Sequence, residues 1–389
     1  MIKLGDRFYL ILMIDGKEVP IEYMGFNPLQ MHSNVLFFQP VGRIVLADKQ
    51  RYFDNNPISD GSKVDIFVWR TDTGSQSAKR YQFRLFRHAV NKSLNINYFT
   101  LYLTFNCPRY FNENMTGAMK GTSYDILKEM AKTVGVDYSG DPTSDAMTWL
   151  GTGKKRCVFA RDVALHGYAN TQSCMSLGMT LLGEMRYKDV SAIKLKDNPN
   201  IFVQGVGDNT KVFQVLGRKE INKAGLFNNL VGYRMTTVEQ DTSGVSEHAS
   251  VQVTMNSGPT LSVNKTLNDK LEGSRVHFTP VSAGNVHPQF YQAEHSNKRI
   301  RAMYSFGSHI VTDGMTNLDL FDPITYLFYD NSANKLSINQ AISGNYIITA
   351  KTIFATKEGR YFEKFEIVRQ GPNFYNELAS VLTATNSAA

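Results

Sequence analysis

Between Gly117 and Val190 the spacing of apolar residues changes from helical to alternating, and that switch constrains the chain's architecture more than any other stretch. In GAMKGTSYDILKEMAKTVGV, Thr122 stands where a helix cap belongs, and Asp125 follows at the position from which a side chain can reach back to the cap. Leu127, Met130, Ala131 and Val134 then recur at i, i+3, i+4 and i+7, with Lys128, Glu129 and Lys132 off the apolar stripe. Gly135 supplies the stop. A second helix start is read at Thr143 and Ser144, with Met147, Trp149 and Leu150 facing inward ahead of a turn from Gly151 to Lys155. A third helix, over about Arg156 to Ala169, buries Val158, Phe159, Val163 and Ala164. The period then becomes that of a strand: Met175, Leu177, Met179 and Leu181 alternate, and Gly183 breaks the run before Met185, Tyr187 and Val190. Three short helices leading into a strand pair make a unit too small to stand as a domain alone.

The chain before this unit reads as β. FYLILMI (8 to 14) and VPIEY (19 to 23) flank Asp15-Gly16, a strong hairpin signal. The first of these strands is apolar on both faces, which suits a barrel wall or a subunit contact. Val35 to Phe38, Ile44 to Ala47, Val64 to Trp69 after the turn at Asp60-Gly61, and Tyr81 to Phe86 extend the series, and Tyr98 to Phe105 leads into the helical unit. Short strands separated by turn chemistry indicate a small barrel or sandwich. Beyond the helical unit, Ile201 to Gln204 and Val212 to Leu216 are strands. The GVGDNT between them lacks the third glycine of a nucleotide loop and reads as a hairpin turn. Residues 239 to 297 are polar and turn-rich, with one clear strand at Val251 to Thr254. The last third returns to β at Ile324 to Tyr329, Leu336 to Ile338, Tyr346 to Phe354 and Tyr361 to Val368, with turns at Ser343-Gly344 and Glu358-Gly359.

The fold class expected is therefore α+β and mostly β: a barrel-like β domain at each end, a small helical domain, and an irregular β-rich insertion. The division expected is 1–95, 96–195, 196–300 and 301–389, the last completed by strands from 196–235. Aromatic residues at 12%, with abundant Val, Ile and Thr, agree with a sheet-rich protein. The net charge of +7 is dispersed and argues only weakly for a polyanionic partner. Cys107, Cys157 and Cys174 match no disulfide scaffold and no zinc spacing, which points to synthesis in a reducing compartment. The N-terminal apolar run is only about seven residues long, lies behind Asp6 and Arg7, and has no cleavage site, so it reads as a strand and not as a leader. Nowhere is there an apolar run of ~18 residues, and no membrane span is expected.

Chemistry is weakly signalled. The histidines are His32, His88, His166, His248, His277, His287, His295 and His309. His277, His287 and His295 come closest to a cluster, without metal-ligand spacing. His166 sits one turn from Asp162, which could orient an imidazole, but no nucleophile is signalled to use it. G-x-S-x-G, P-loop and H-E-x-x-H motifs are absent. The carboxylates Glu129, Asp145 and Glu184 cannot be paired across a cleft from sequence. No catalytic, cofactor-binding or metal-binding residue is assigned, and the chain is expected not to be an enzyme.

One resemblance orders these pieces. Gly121, Thr122, Ser123, Asp125, Ile126, Leu127, Met130 and Ala131 come first, and Thr143, Asp145, Met147, Trp149 and Leu150 follow. Lys154 and Lys155 then precede Phe159, Asp162, Ala164 and His166, and the run closes on Arg186, Tyr187 and Asp189. Taken together this resembles the baseplate hub protein of tailed bacteriophages and the hub part of type VI secretion spike proteins. Asn228 to Tyr233, Ser343 to Ala350 and Gly359 to Arg369 agree with it, while 239 to 300 match nothing in the pattern. The resemblance implies a ring-shaped homotrimer in the virion baseplate, assembled in the host cytoplasm. Each chain would contribute two near-equivalent tube-like β-barrels, so that a threefold ring can meet a sixfold tail tube. It implies as partners the tail tube protein, the central spike protein, the tape-measure protein and other baseplate proteins, with transient passage of DNA through the lumen. Two alternatives belong to other classes: a tail-fibre or host-surface carbohydrate-binding protein, and a tail-tip peptidoglycan hydrolase. The first needs exposed aromatics, whereas Trp69 and Trp149 both lie in patterns that predict burial.

Overall fold

The computed structural model describes residues 2–4, 7–35, 39–93, 95–170, 173–193, 200–205, 213–222, 233–241, 244–253, 274–280, 306–332, 335–339, 342–356 and 360–369. The N-terminal strands are β1 (Ile2–Leu4), β2 (Phe8–Ile14), β3 (Lys17–Glu18), β4 (Gly25–Asn34), β5 (Val41–Asp48), β6 (Lys63–Arg70), β7 (Lys79–Ser93) and β8 (Ile96–Phe105), with a short helix α1 (Tyr52–Asn55) after β5. Six of them run in the order β2-β6-β7-β8-β5-β4, every neighbouring pair antiparallel. This sheet is rolled, because Phe8, Leu10 and Leu12 of β2 share one core with Phe26, Leu29 and Met31 of β4 at the far end of the row. Asp15 and Gly16 both have positive φ, 47° and 80°, as a two-residue hairpin of the primed type requires. The hairpin is short, however: β3 spans only Lys17–Glu18, and Val19 and Ile21 enter the core from a turn and not from the expected strand at 19 to 23.

Of the strand expected at Val35 to Phe38 only Val35 is described, while the chain before it forms β4, which ends at Asn34 and was not expected. Pro28 hid it from a sequence reading. The pairing of β4 with β5 is interrupted between Asn27 and Gln30, which leaves the proline where no ladder hydrogen bond is needed.

The helical unit comprises α2 (Pro108–Asn112), β9 (Ala118–Gly121), α3 (Ser123–Val134), β10 (Asp137–Gly140), β11 (Met147–Leu150), α4 (Arg156–Leu165), β12 (Met175–Met179) and β13 (Glu184–Asp189). Helix α3 begins in a complete capping box: Thr122 accepts from the Asp125 N–H and Asp125 accepts from the Thr122 N–H. It ends at Gly135, in the left-handed region at φ 75°. Its buried stripe is Ile126, Leu127, Met130 and Ala131, while Val134 is partly buried. The helix expected at Thr143 does not form. Met147–Leu150 is instead a strand paired antiparallel with β9, held there by the Trp149 indole N–H donating to the Gly121 carbonyl at 2.9 Å. Only Trp149 of the expected inward set is buried, because a strand turns alternate residues outward and leaves Leu150 exposed. Helix α4 is shorter than expected and rotated, so Ala160 is buried and Val158 exposed. Met175 to Leu181 is buried as expected, and β13 lies between β12 and β10.

The remaining strands are β14 (Ile201–Gln204), β15 (Phe213–Asn222), β16 (Tyr233–Asp241), β17 (Gly244–Val253), β18 (Ser274–Pro280), β19 (Phe306–Asp313), β20 (Pro323–Ser332), β21 (Lys335–Ile338), β22 (Gly344–Ala355) and β23 (Tyr361–Arg369). β20-β14-β15-β19-β23-β22 close into a ring, because β22 pairs back onto β20. The N-terminal row and the C-terminal ring thus each have six strands but differ in connectivity. The first is antiparallel throughout, whereas β14 runs parallel to both β15 and β20 in the second. β16, β17 and β18 form a separate small sheet. Strand β19 carried no reading in the sequence. The Asn228 to Gly232 part of the resemblance, the turn at Glu358-Gly359, and His287 and His295 lie outside the described residues.

Candidate functional site

Strand β22 runs through both β modules. The first residues of β22 pair with β20, and from Ala350 onward its residues pair with β4 of the N-terminal sheet while still pairing with β23. A bulge between Ile348 and Ala350 marks the transfer. Tyr346 and Ile348 lie in the C-terminal core, Ile353 and Ala355 in the N-terminal one.

A strap of chain, residues 314–322, crosses this joint and is tied down by three cations from three different parts of the molecule. Lys79 of β7 donates to the Thr316 carbonyl. Lys351 of β22 donates to the Leu318 carbonyl at 2.8 Å, and Arg186 of β13 to the Leu320 carbonyl at 2.7 Å. The recipients are alternate residues, as an extended segment presents them. The negative charge that makes this arrangement tolerable comes from Glu363, Asp319 and Asp322. Glu363 is 0% exposed and pairs at 3.1 Å with Lys351, which is 3% exposed. Glu363 also accepts from the Tyr361 hydroxyl at 3.1 Å, the Thr316 N–H at 3.0 Å and the Thr316 hydroxyl at 2.6 Å. Arg186 is held by Glu184 at 2.6 Å and Asp322 at 2.9 Å.

Burial is felt in the titration of the cluster. Desolvation pulls the Lys79 ammonium down to about 8, aided by Lys351 and opposed by Glu363 and Asp319. Burial pushes the Asp319 carboxyl up, and it raises the Tyr81 and Tyr361 phenols well above their ordinary value. Such a cluster fixes one packing of three parts, because an ionic group left without its partner in the interior is costly.

The residues considered for chemistry from the sequence are scattered. Asp145 is buried and accepts the backbone N–H groups of Ser123 at 2.8 Å and Tyr168 at 2.7 Å, fastening the start of α3 to the chain beyond α4. Glu129 is exposed beside Lys132, and Glu184 serves Arg186. Asp162 does approach His166, at 3.2 Å, and also Lys154 at 2.8 Å. Among the described residues no group of His, Cys, Asp or Glu is placed to hold a metal ion. Trp69 and Trp149 are both buried, as their patterns predict. The strap cluster went unread because its lysines and glutamate are far apart in sequence.

No protein-family model matches the chain, and no curated protein is detectably similar to it. Solved structures do match. The tail protein from Neisseria meningitidis MC58 covers 94% of this chain and 97% of its own, at a TM-score of 0.55 and 10% identity. The 43 kDa tail protein of prophage MuSo2 from Shewanella oneidensis covers 93% and 98%, at a TM-score of 0.57 and 11% identity. The chain has the fold of these tail proteins. An E. coli component of the type VI secretion system aligns more loosely, over 94% of this chain and 77% of its own at a TM-score of 0.48 and 10% identity, and adds no weight. No helix among the described residues is long and apolar enough to cross a membrane.

Proposed function

We propose that this chain is a structural component of a phage tail, acting as the baseplate hub: a ring-forming adaptor between the tail tube and the central spike, with a lumen for genome ejection. The observation that carries the reading is end-to-end correspondence with two tail proteins, at 93% of this chain or more and 97% of theirs or more. The joint supports it. A component that transmits load between a tube and a spike needs its modules locked, and a continuous strand with buried ion pairs provides that. In this reading three copies form the ring, and tube, spike, tape-measure and other baseplate proteins are its neighbours in the virion, after assembly in the host cytoplasm. The outer face of β2, with Tyr9, Ile11 and Met13 half-buried in the single chain, is the contact between copies. The N-terminal module, the helical unit and a C-terminal module assembled from two separate stretches, with 239–300 between them, are its parts. No enzymatic step is assigned. The buried Trp69 and Trp149 weigh against the carbohydrate-binding alternative.

The test is mass and shape in solution. Light scattering and negative-stain images of the purified chain should give threefold rings, and Ile11→Asp should return them to single copies. A monomer with a peripheral position in particles favours an adhesin, and clearing of purified cell wall favours a hydrolase.

A further inference from the structure

Strand β7 is longer than the neighbour on its outer side. Its pairing with β6 ends at Arg84 opposite Lys63, and Leu85 makes the last bonds on that edge, donating to the Ser62 carbonyl and accepting from the Gly61 N–H. A bulge between Leu85 and Arg87 follows, and from there to Ser93 the strand pairs with β8 alone. Among the described residues no strand runs along its other edge. A row of backbone donors and acceptors there is a template for strand addition.

The side chains along this edge differ from those lower on the same sheet. Below the bulge, Arg80 is matched by Asp65 at 3.0 Å, and on the neighbouring strand Arg70 is matched by Asp72 at 2.6 Å. Above it, Arg87 lies over the Tyr102 ring at 4.8 Å, and Arg87, Lys92 and the nearby Arg43 make no ion pair with any described residue. His88 alone has a carboxylate, Asp60 at 3.3 Å. Phe86 stands 68% exposed beside a hollow of about 410 Å³ whose lining includes Gln30, His32, Arg43 and Tyr102. The exposed Phe86, cations with no ion pair among the described residues and a backbone edge with no described partner therefore meet on the upper part of β7, while the hollow lies on the other side of Phe86, over β8, β5 and β4. A second copy of this edge would bring Arg87 and Lys92 against their own kind, which disfavours self-pairing.

We propose that the free edge of β7, from Phe86 to Ser93, receives an extended acidic segment of a different protein by strand addition, with its acidic side chains beside Arg87 and Lys92 and an apolar one against Phe86. The backbone edge sets the strand geometry, and the cations choose the partner. This does not rest on the baseplate reading, since it needs neither a ring nor a virion.

The experiment titrates the full chain into a fluorescein-labelled peptide alternating Glu and Val, with the Gln-for-Glu peptide as control, and maps amide exchange on the complex. The acidic peptide binds, with affinity that falls as NaCl is raised. The double variant Arg87→Glu, Lys92→Glu, with unchanged circular dichroism, loses at least ~10-fold. New protection falls on amides between 86 and 93 and leaves α3 unchanged. Equal binding of the neutral peptide, indifference to the double variant, or protection elsewhere would overturn the proposal. So would a wild-type dimer that the same double variant disperses, since the occupant would then be a second copy.

Discussion

Replacing Glu363 by Gln tests whether the joint is held by a desolvated charge or by packing alone. The glutamate carboxylate takes four donors: Lys351 and Tyr361 on one oxygen, and the N–H and hydroxyl of Thr316 on the other. A glutamine of the same shape keeps one acceptor oxygen and turns an amide N–H₂ toward the donors of the other. It also removes the negative charge facing Lys351, which at 3% exposure has little access to water. Removing one partner of a buried ion pair typically costs ~3–5 kcal/mol. At about 1.4 kcal/mol per factor of ten, that corresponds to roughly a thousandfold rise in the opening that exposes β22. Hydrogen exchange at β22, read beside urea unfolding, measures it. The double variant Lys351→Met, Glu363→Gln should recover more than half of the loss, because no stranded ammonium remains at that position. A single-variant cost under ~1 kcal/mol, or a double variant no better than the single, would refute the reasoning, because the pair would then not be desolvated as its burial implies.

Other perturbations follow from the same geometry. The folded pKa of Lys79, about 8, lies below its ordinary 10.5, so between those values the unfolded state binds more protons and stability should rise with pH. The cost of the buried ammonium is then full below pH 8. Urea midpoints across that window should climb in the wild type and flatten in Lys79→Met, and an equal slope in both would exclude Lys79 as the cause. Leu127→Asp places a carboxylate in the core of the helical unit, at a position with 0% exposure. A loss above ~4 kcal/mol is expected, with failure of any assembly that contains the chain, and normal assembly would mean that this helix face is not load-carrying. Gly183 has φ 91°, and a Cβ there would meet the Phe105 ring at 2.4 Å. Gly183→Ala should therefore cost ~1–3 kcal/mol in thermal unfolding, and a neutral result would show that the ring can move aside.

What the sequence disclosed was local chemistry. The Thr122–Asp125 capping box, the Asp15-Gly16 turn and the strand beginning at Met175 depend on residues close in the chain, and all three are present in the structure, although the strand stops at Met179 and is buried on both faces. The misreadings arose where distant partners decide. Trp149 lies in a strand because Ala118–Gly121 is there to pair with it, and nothing within Thr143 to Leu150 announces that partner. β4 contains a proline that only the interrupted register makes acceptable. The strap could not be found at all. Its three carbonyls are backbone groups, and the cations that seek them come from β7, β13 and β22.

The alternation Tyr361, Glu363, Phe365, Ile367 was visible in the sequence and placed a glutamate among aromatic and aliphatic neighbours. Strand β23 has no bulge, so its odd residues face one way throughout. Tyr361 enters the N-terminal core, while Phe365 and Ile367 enter the C-terminal one. Glu363 falls between the two cores on that same inward face. Strand β22 must match it, yet its inward residues are even at Tyr346 and Ile348 and odd at Ile353 and Ala355. The bulge between Ile348 and Ala350 supplies the one-residue shift that reverses the parity. That reversal is what turns Lys351 inward to meet Glu363. The ion pair therefore marks the place where one core ends and the next begins, and a deletion of Thr349 should leave it intact: the bulge disappears, but Lys351 then stands two residues after the inward-facing Ile348, still opposite Phe365 and still turned toward Glu363.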